Sequence, residues 1–136
     1  MKKSFKSDGT KAYNTYYEYN ELGNLKEYRL ETADGVILSR ENHAYDGDGN
    51  TTVITYDDGS KHSFGYDLAS RLKNEQKISS NGAVLTALSF QYDPYGNRLS
   101  MTKNGTTTTY KYDSANQISS INGSAGIYRI DKAIED

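Results

Sequence analysis

The sequence predicts an all-β protein, an antiparallel meander of consecutive β-hairpins that forms one domain over residues 1–136. Three features predict it. Asx-Gly dipeptides recur along the chain, an aromatic-x-Tyr-Asp quartet follows each of them, and a polar turn with an aliphatic residue follows the quartet. A period of this kind is typical of repeat architectures, in which each unit is strand, turn, strand and turn. We expect a curled strip of sheet with less than about a tenth of its residues in helices.

The Asx-Gly dipeptides are the first element of the repeat. Asn-Gly or Asp-Gly between β-branched or apolar runs is the strongest short-range hairpin signal, because both central residues of a type I′ turn need a positive φ. We therefore expect a hairpin turn at each of the following dipeptides. They are Asp8-Gly9, Asp34-Gly35, Asp58-Gly59, Asn81-Gly82, Asn104-Gly105 and Asn122-Gly123.

The quartet is the second element. Its clear copies are Phe64-Gly65-Tyr66-Asp67, Phe90-Gln91-Tyr92-Asp93 and Tyr110-Lys111-Tyr112-Asp113; looser copies are Tyr17-Glu18-Tyr19-Asn20, His43-Ala44-Tyr45-Asp46 and Tyr128-Arg129-Ile130-Asp131. The glycine of the preceding Asx-Gly dipeptide sets the spacing, because the quartet tyrosine position lies either ten or seven residues after it. Residues two apart on a strand share a face, so the aromatic residue and the tyrosine of a quartet should pack on one face of the sheet.

The quartets supply the predicted structural residues. We interpret the tyrosines as core and cross-strand packing residues, and the aspartates as turn residues whose carboxylates accept local backbone N–H groups. The tyrosines are Tyr19, Tyr45, Tyr66, Tyr92 and Tyr112, and the aspartates are Asp46, Asp67, Asp93 and Asp113. Because the aspartates lie one repeat apart, we expect a row along one edge of the sheet and no convergent catalytic pair.

An aliphatic residue after each quartet is the third element. The residues are Leu25, Leu72, Leu99 and Ile118. We expect them on the intervening strands of the same apolar face, with Leu99 opposite Tyr92. The loop between quartet and aliphatic residue varies by one or more residues, so the sequence does not predict the register.

Composition and charge exclude several classes of protein. The 16 basic and 18 acidic residues are interspersed and give a net charge of -2, which argues against a nucleic-acid or anionic-membrane surface. The absence of cysteine excludes disulfides and thiolate metal sites. No apolar stretch is long enough for a membrane span or a signal peptide, so an export signal of the parent protein would lie outside this sequence.

One segment raises the question of a metal site. Asp46-Gly47-Asp48-Gly49-Asn50 places alternating oxygen ligands as in the opening of a calcium loop, with candidate ligands Asp46, Asp48 and Asn50. It lacks the glycine at the sixth position, since Thr51 stands there, and its flanks are strands, so a glycine-rich hairpin loop is the alternative. His43 and His62 have no cysteine to support a zinc site. No other cofactor and no catalytic motif is indicated, and an enzyme is the least favoured class.

Read together, the repeated elements resemble the YD repeat of the Rhs family. The best copy is Phe90-Gln91-Tyr92-Asp93-Pro94-Tyr95-Gly96-Asn97-Arg98-Leu99, and the resemblance extends from about Asp8 to Asp131. It implies a spiral of hairpins that builds a hollow shell, which in bacterial Rhs proteins and toxin complexes encloses a toxic C-terminal domain. The sequence has too few repeats for a closed shell and lacks the family's Asp-Pro-x-Gly-Leu signature. It is either a fragment of a longer protein or a short relative.

The function expected from these features is that of a non-catalytic structural repeat module. The resemblance implies flanking repeats or a toxin cargo as partners and an extracellular or cell-surface location in bacteria. Open sheet edges predict self-association. The alternative function is a carbohydrate-binding module, in which exposed tyrosines beside Asp and Asn stack on sugars.

The last segment of the sequence, 124–136, allows two interpretations. Ile127, Ile130 and Ile134 have the spacing of a short amphipathic capping helix. The distance from Gly123 to the sixth quartet instead favours a strand to about Asp131, and we prefer the strand.

Overall fold

The computed structural model describes residues 2–7, 11–122 and 124–125, and these residues form one twelve-stranded sheet without a helix. Strand order follows chain order, and each pair of neighbours is antiparallel. The predicted all-β meander is therefore confirmed. The strands are β1 (Lys2–Ser7), β2 (Lys11–Tyr19), β3 (Leu25–Thr32), β4 (Ile37–Tyr45), β5 (Thr51–Tyr56), β6 (Lys61–Tyr66), β7 (Leu72–Ile78), β8 (Val84–Tyr92), β9 (Arg98–Lys103), β10 (Thr106–Tyr112), β11 (Ile118–Ile121) and β12 (Ser124–Ala125).

The strands form where β-branched and aromatic residues are concentrated. Strand β5 has the sequence TTVITY, and β10 has TTTTYKY. Such residues lose little side-chain freedom on a pleated surface and pack well against cross-strand neighbours. The two distances from turn glycine to tyrosine correspond to strands of different length. The strands that end in Tyr19, Tyr45 and Tyr92 have nine residues each, whereas β6 has six and β10 has seven.

Most hairpins share one loop of five residues. In each loop the first N–H donates to the fifth carbonyl, and the fourth N–H donates back to the first carbonyl, with N···O distances of 2.8–3.1 Å. The fourth residue has a positive φ wherever this loop occurs. The loops are 20–24, 32–36, 46–50, 56–60, 67–71, 79–83, 93–97 and 113–117.

This loop corrects the prediction of type I′ turns at the Asx-Gly dipeptides. At Asp34, Asp58 and Asn81 the dipeptide occupies the third and fourth loop positions, and only its glycine has a positive φ. The two-residue turn with positive φ at both positions occurs at Asn104-Gly105, where the values are 48° and 88°. A longer loop is preferred elsewhere because its type I turn followed by one left-handed residue also matches the twist of the strands. Asp8-Gly9 and Gly123 lie outside the described residues.

A bulge after the loop fixes the register that the sequence left open. In the β8–β9 hairpin Tyr92 pairs with Arg98 and Gln91 pairs with Ser100, so Leu99 has no opposite residue. The predictions for Leu99 are therefore wrong: it does not lie opposite Tyr92, and it is 41% exposed. Arg98 takes the place of the aliphatic residue, and the loop does not vary in length. The equivalent extra residues in other hairpins are Lys26, Leu38, Thr52, Lys73, Leu85 and Ser119.

The apolar residues collect on one face, which we call the tyrosine face. Its buried core consists of Phe90, Met101, Tyr110 and Ile118, and the partly buried Leu72, Leu88, Tyr92, Tyr112 and Ile121 pack against it. The aromatic residue and the tyrosine of these quartets thus share a face, as predicted. Each strand packs against the strands that precede and follow it in the chain. The fold is therefore a single layer, in which no large side chain of the described residues is completely buried.

Among residues 2–7, 11–122 and 124–125, no helix is long and apolar enough to cross a membrane.

The alternative structures predicted for Ile127, Ile130 and Ile134, and the degenerate quartet at 128–131, lie outside the described residues.

Candidate functional site

The quartets end at one edge of the sheet, which we call the aspartate edge. A meander returns every second loop to the same edge, so the loops that follow the quartets are all there. They are 20–24, 46–50, 67–71, 93–97 and 113–117. The structure therefore places Asp46, Asp67, Asp93 and Asp113 as the first residues of successive loops, in a row at the ends of alternate strands β4, β6, β8 and β10.

Each aspartate of this row closes its own loop. One carboxylate oxygen of Asp93, Oδ1, accepts the backbone N–H groups of Tyr95 and Asn97, both at 2.9 Å. Its other oxygen, Oδ2, accepts the side-chain amide of Asn97 at 3.1 Å. The same pair of backbone bonds to Oδ1 occurs at the other quartet loops, from the third and fifth residues to Asn20, Asp46, Asp67 and Asp113.

At three of these loops the donors lower the pKa of the aspartate. The backbone N–H of Arg71 lowers the pKa of Asp67, and the backbone N–H of Asn50 does the same for Asp46. For Asp93 burial raises the pKa, but the N–H donors of Asn97, Tyr95 and Gly96 together outweigh it, so the pKa is lowered. A carboxyl group with a lowered pKa is a poor general acid at neutral pH. The aspartate row therefore has the properties of loop closures.

The quartet tyrosines join neighbouring repeats. The hydroxyl of Tyr92, at the end of β8, donates to the carbonyl of Leu72, the first residue of β7, at 2.5 Å. The acceptor in each case is the residue directly after the preceding quartet loop. The equivalent bonds are Tyr45 to Leu25 at 2.6 Å, Tyr66 to Thr51 at 2.8 Å and Tyr112 to Arg98 at 2.6 Å. Tyr19 differs from these four, because it is 55% exposed.

Two of these tyrosines, Tyr66 and Tyr112, have a raised pKa. Burial raises the pKa of Tyr66, and the charges of Asp46 and Glu75 raise it further. Burial also raises the pKa of Tyr112. A phenol with a raised pKa stays protonated at neutral pH, and it therefore keeps the proton that it donates to the carbonyl.

Two arginines stack on quartet rings, which the sequence analysis did not predict. The guanidinium carbon of Arg98 lies 4.3 Å from the ring centre of Phe90, and that of Arg71 lies 4.8 Å from the ring centre of Tyr92. Arg71 is the last residue of its quartet loop, where other repeats have an amide side chain, and Arg98 directly follows its loop, where most other repeats have an aliphatic one. A long side chain with a cationic head can cover an aromatic face in this way, so arginine at these positions keeps the ring packed.

The histidines lie on different parts of the sheet. His43 occupies the aromatic position of its quartet, and its Nε2 is buried without a hydrogen-bond partner in the described residues. His62 Nε2 lies 2.5 Å from Glu75 Oε1, and the His62 ring packs on Phe64 with the ring centres 4.3 Å apart. Sequence analysis missed this pair. The available signal is that Glu75 occupies the position that is Ile54, Met101 and Ile121 in other repeats, directly opposite the quartet aromatic residue.

The candidate calcium ligands already hydrogen-bond to one another. Asp46 accepts the backbone N–H groups of Asp48 and Asn50 at 3.0 and 2.9 Å. The amide of Asn50 donates to Asp46 Oδ2 and to Ser70 Oγ, at 3.2 and 3.0 Å. Within the described part of the chain, no three His, Asp or Glu side chains are arranged to hold a metal ion. The loop has the same bonds as the other quartet loops, and calcium binding stays a prediction.

Calcium binding has a direct test. If Asp46, Asp48 and Asn50 bind calcium, millimolar calcium raises the melting temperature of the parent protein by mass action and leaves that of Asp48→Ala unchanged. Asp48 is the suitable position because its side chain has no bond in the loop closure, so its removal leaves the hairpin intact. Differential scanning fluorimetry with calcium and with a chelator measures the shift. Identical melting curves for the parent protein in both solutions would exclude the site.

Comparison with known proteins gives a structural match only. No family model and no curated protein matched the chain by sequence. The crystal structures of TcdB2-TccC3-Cdc42 and TcdB2-TccC3-TEV match with TM-scores of 0.72 and 0.71, each at 20% identity over 82% of this chain. The crystal structure of TcdB2-TccC3 matches with a TM-score of 0.57 at 18% identity, also over 82% of this chain. This chain spans 6% to 7% of the length of those chains. At such identities the likeness establishes the fold.

Proposed function

Because the chain has the hairpin fold of the YD-repeat shells of the Rhs type, to which the TcdB2-TccC3 toxin complexes belong, we propose that it is a non-catalytic structural module of such a shell. The observation that supports this function is the use of the two residues that define the quartet. The hydroxyls of Tyr45, Tyr66, Tyr92 and Tyr112 are bonded to the preceding repeat, and the aspartate carboxylates are bonded within their own loops. The atoms that chemistry or ligand binding would need are thus engaged in holding the sheet together.

A wall of any length can be built from this arrangement. Each new repeat brings one tyrosine for the carbonyl behind it and offers one carbonyl to the repeat ahead, so this bond can recur between successive repeats. Flanking repeats are therefore the partners that the geometry supports best. We extend the proposal, by resemblance, to a toxin cargo and to the bacterial surface or exterior. The open strand edges also favour self-association of the isolated chain, which light scattering at increasing concentration measures.

The carbohydrate-binding alternative receives less support. Stacking on a sugar needs an aromatic face that is open to solvent, whereas Tyr45, Tyr66, Tyr92 and Tyr112 are half-buried. An enzyme is likewise disfavoured, since the carboxylates of the aspartate row do not converge and have backbone N–H partners.

Adding one repeat tests the proposed function. A copy of residues 84–98 placed before Met1 supplies one more strand and one more quartet loop. The last residue of the copy is an arginine equivalent to Arg98. When β1 is continued along β2 in its present register, the carbonyl of this arginine lies where the hydroxyl of Tyr19 can donate to it. We expect a higher melting temperature and a single unfolding transition, because stacked repeats gain stability from each new interface. Differential scanning calorimetry measures both.

Tyr19→Phe provides the control for this extension. In the extended chain the substitution removes a hydroxyl that has gained an acceptor, and it should lower stability by about 0.5–1.5 kcal/mol. In the parent chain, where Tyr19 is 55% exposed, the same substitution should have little effect. An extension that unfolds separately from the parent, with Tyr19→Phe silent in both chains, would contradict a module designed for flanking repeats.

A further inference from the structure

The loops of the aspartate edge are joined to one another by side chains. The amide of Asn50 donates to Ser70 Oγ at 3.0 Å, which joins loop 46–50 to loop 67–71. Arg71 Nη1 donates to the carbonyl of Asp93 at 3.1 Å, which joins that loop to loop 93–97. The donor is the fifth residue of its loop in both cases. These bonds connect parts of the chain about 20 residues apart in sequence.

The row continues to the last quartet loop. The amide of Asn97, again the fifth residue, donates to Asn116 Oδ1 at 3.1 Å. Four successive loops are therefore connected by three side-chain hydrogen bonds, which we call the latches. Each latch joins two loops beyond the ends of the strands, where the backbone hydrogen bonds between neighbouring strands no longer connect the repeats.

Two of the three latch acceptors occupy an unfavourable backbone conformation. Ser70 and Asn116 are the fourth residues of their loops, and both have φ of 59°. The fourth residues of the other quartet loops are Gly23, Gly49 and Gly96, with φ from 84° to 89°. A side chain in the left-handed region crowds the following carbonyl, and glycine avoids this cost. A residue other than glycine at this position therefore gains from a compensating interaction, and serine needs it more than asparagine does.

The compensation follows a rule. Two quartet loops have a fourth residue other than glycine, and in both cases the preceding quartet loop ends in an asparagine that donates to it. Asn50 donates to Ser70, and Asn97 donates to Asn116. Where the donor is Arg71, it reaches a backbone carbonyl instead, and the fourth residue is Gly96. The first loop ends in Asn24, but the next loop has Gly49 and offers no side-chain acceptor. These two repeats are joined by the quartet tyrosine bond from Tyr45 to Leu25.

We propose that Ser70 and Asn116 are coupling residues, and that the latches make the sheet from β4 to β11 open as one cooperative unit while the β2–β3 hairpin opens separately. Repeat proteins unfold cooperatively to the extent that neighbouring repeats stabilise one another. The latches add such an interaction between the loops from 46 to 117. The missing latch at Gly49 places the weakest coupling between the first quartet loop and the second.

Building the missing latch tests the proposal. Gly49→Asn gives Asn24 an acceptor, and a Cβ at position 49 meets no atom within 4 Å, so the substitution changes only the backbone preference and the latch. Native-state hydrogen exchange measures the opening of the β2–β3 hairpin. We expect opening in Gly49→Asn to be about two- to tenfold rarer than in Gly49→Ala, the range for one net hydrogen bond. Adding Asn24→Ala to Gly49→Asn should abolish the difference.

A second position corrects for the natural tolerance of asparagine for left-handed φ. Gly23 has the same conformation and equally open space, but the described residues contain no preceding quartet loop that could donate to it. The ratio of opening between Gly23→Asn and Gly23→Ala therefore gives the intrinsic preference. If the ratio at position 49 equals the ratio at position 23, no latch forms at position 49 and the rule is refuted.

An existing latch can be removed by a cycle of mutations. Ser70→Gly relieves the left-handed strain and deletes the acceptor, so its net effect on stability does not identify the latch. The informative quantity is the effect of Asn50→Ala on the opening of β4–β5, measured with serine and with glycine at position 70. We expect Asn50→Ala to increase opening about two- to tenfold more in the presence of Ser70. Equal effects in both backgrounds would mean that the loops are not coupled through this bond.

Discussion

Phe90→Ala is expected to destabilise the protein by about 3–5 kcal/mol, which is most of the stability of a small domain. Phe90 is 7% exposed and lies in the core of the tyrosine face, directly opposite Met101, with the guanidinium of Arg98 over its ring. The described residues form a single-layer sheet, so they contain no second layer that could move in to fill the space that the ring leaves. Urea denaturation followed by circular dichroism measures the free energy of unfolding.

Tyr95→Ala is the matched control for this substitution. Tyr95 belongs to the same hairpin but stands at the tip of its loop and is 84% exposed. Its removal should change stability by no more than about 0.5 kcal/mol, as for most surface positions. If Phe90→Ala and Tyr95→Ala unfold at the same urea concentration, the tyrosine face is not the core of the protein.

The fold was predictable because its repeat uses local signals. Glycines with positive φ terminate strands, and the alternation of Phe90, Gln91 and Tyr92 already shows which residues share a face. The five-residue loops keep the strands equivalent from repeat to repeat, so one well-preserved copy predicts the others. Aspartate at the start of a loop was also predictable, since its carboxylate reaches only N–H groups two and four residues further on.

The register was not predictable because the bulge interrupts the alternation of side chains. After the loop, Arg98 and Met101 lie on the tyrosine face although they are three residues apart, because Leu99 is the extra residue of the bulge. Without knowledge of the bulge, the hydrophobicity of Leu99 is the available guide, and it assigns this residue to the apolar face. A one-residue insertion reverses the facing of the residues that follow, and a sequence records it only through turn geometry.

Contacts between repeats were also beyond sequence analysis. Tyr92 and Leu72 are 20 residues apart, as are Asn50 and Ser70, and each bond depends on strand length, twist and bulge together. Ser70 and Asn116 lie at loop positions that hold glycine in the other quartet loops. In the sequence, serine or asparagine in place of glycine is ordinary variation of a turn. The structure is needed to show that these side chains accept hydrogen bonds from the preceding loop.

Tyr92→Ala is expected to destabilise the protein by about 2–4 kcal/mol, less than Phe90→Ala because the Tyr92 ring is only half-buried. The substitution removes the packing of the ring on the core, the contact with the guanidinium of Arg71 and the hydroxyl bond to Leu72. Tyr92→Phe separates these contributions, since it deletes only the hydroxyl and should cost about 0.5–1.5 kcal/mol. Urea denaturation of both variants beside the parent protein gives the two differences.

The same variants decide between a structural module and a carbohydrate-binding module. A tyrosine that served as a stacking platform would lose sugar binding on truncation and leave the free energy of unfolding almost unchanged, because an exposed ring contributes little to folding. A tyrosine that joins two repeats would on truncation lower the free energy of unfolding and leave sugar binding unaffected.

Tyr19→Ala is the internal comparison. Tyr19 occupies the same position in the quartet and is 55% exposed, so its truncation should be nearly neutral for stability. If Tyr92→Ala is as stable as Tyr19→Ala and loses retention on a glycan array, the quartets bind sugars and the structural assignment is wrong. If Tyr92→Ala alone is destabilised, the bond from Tyr92 to the preceding repeat is part of what holds the wall together.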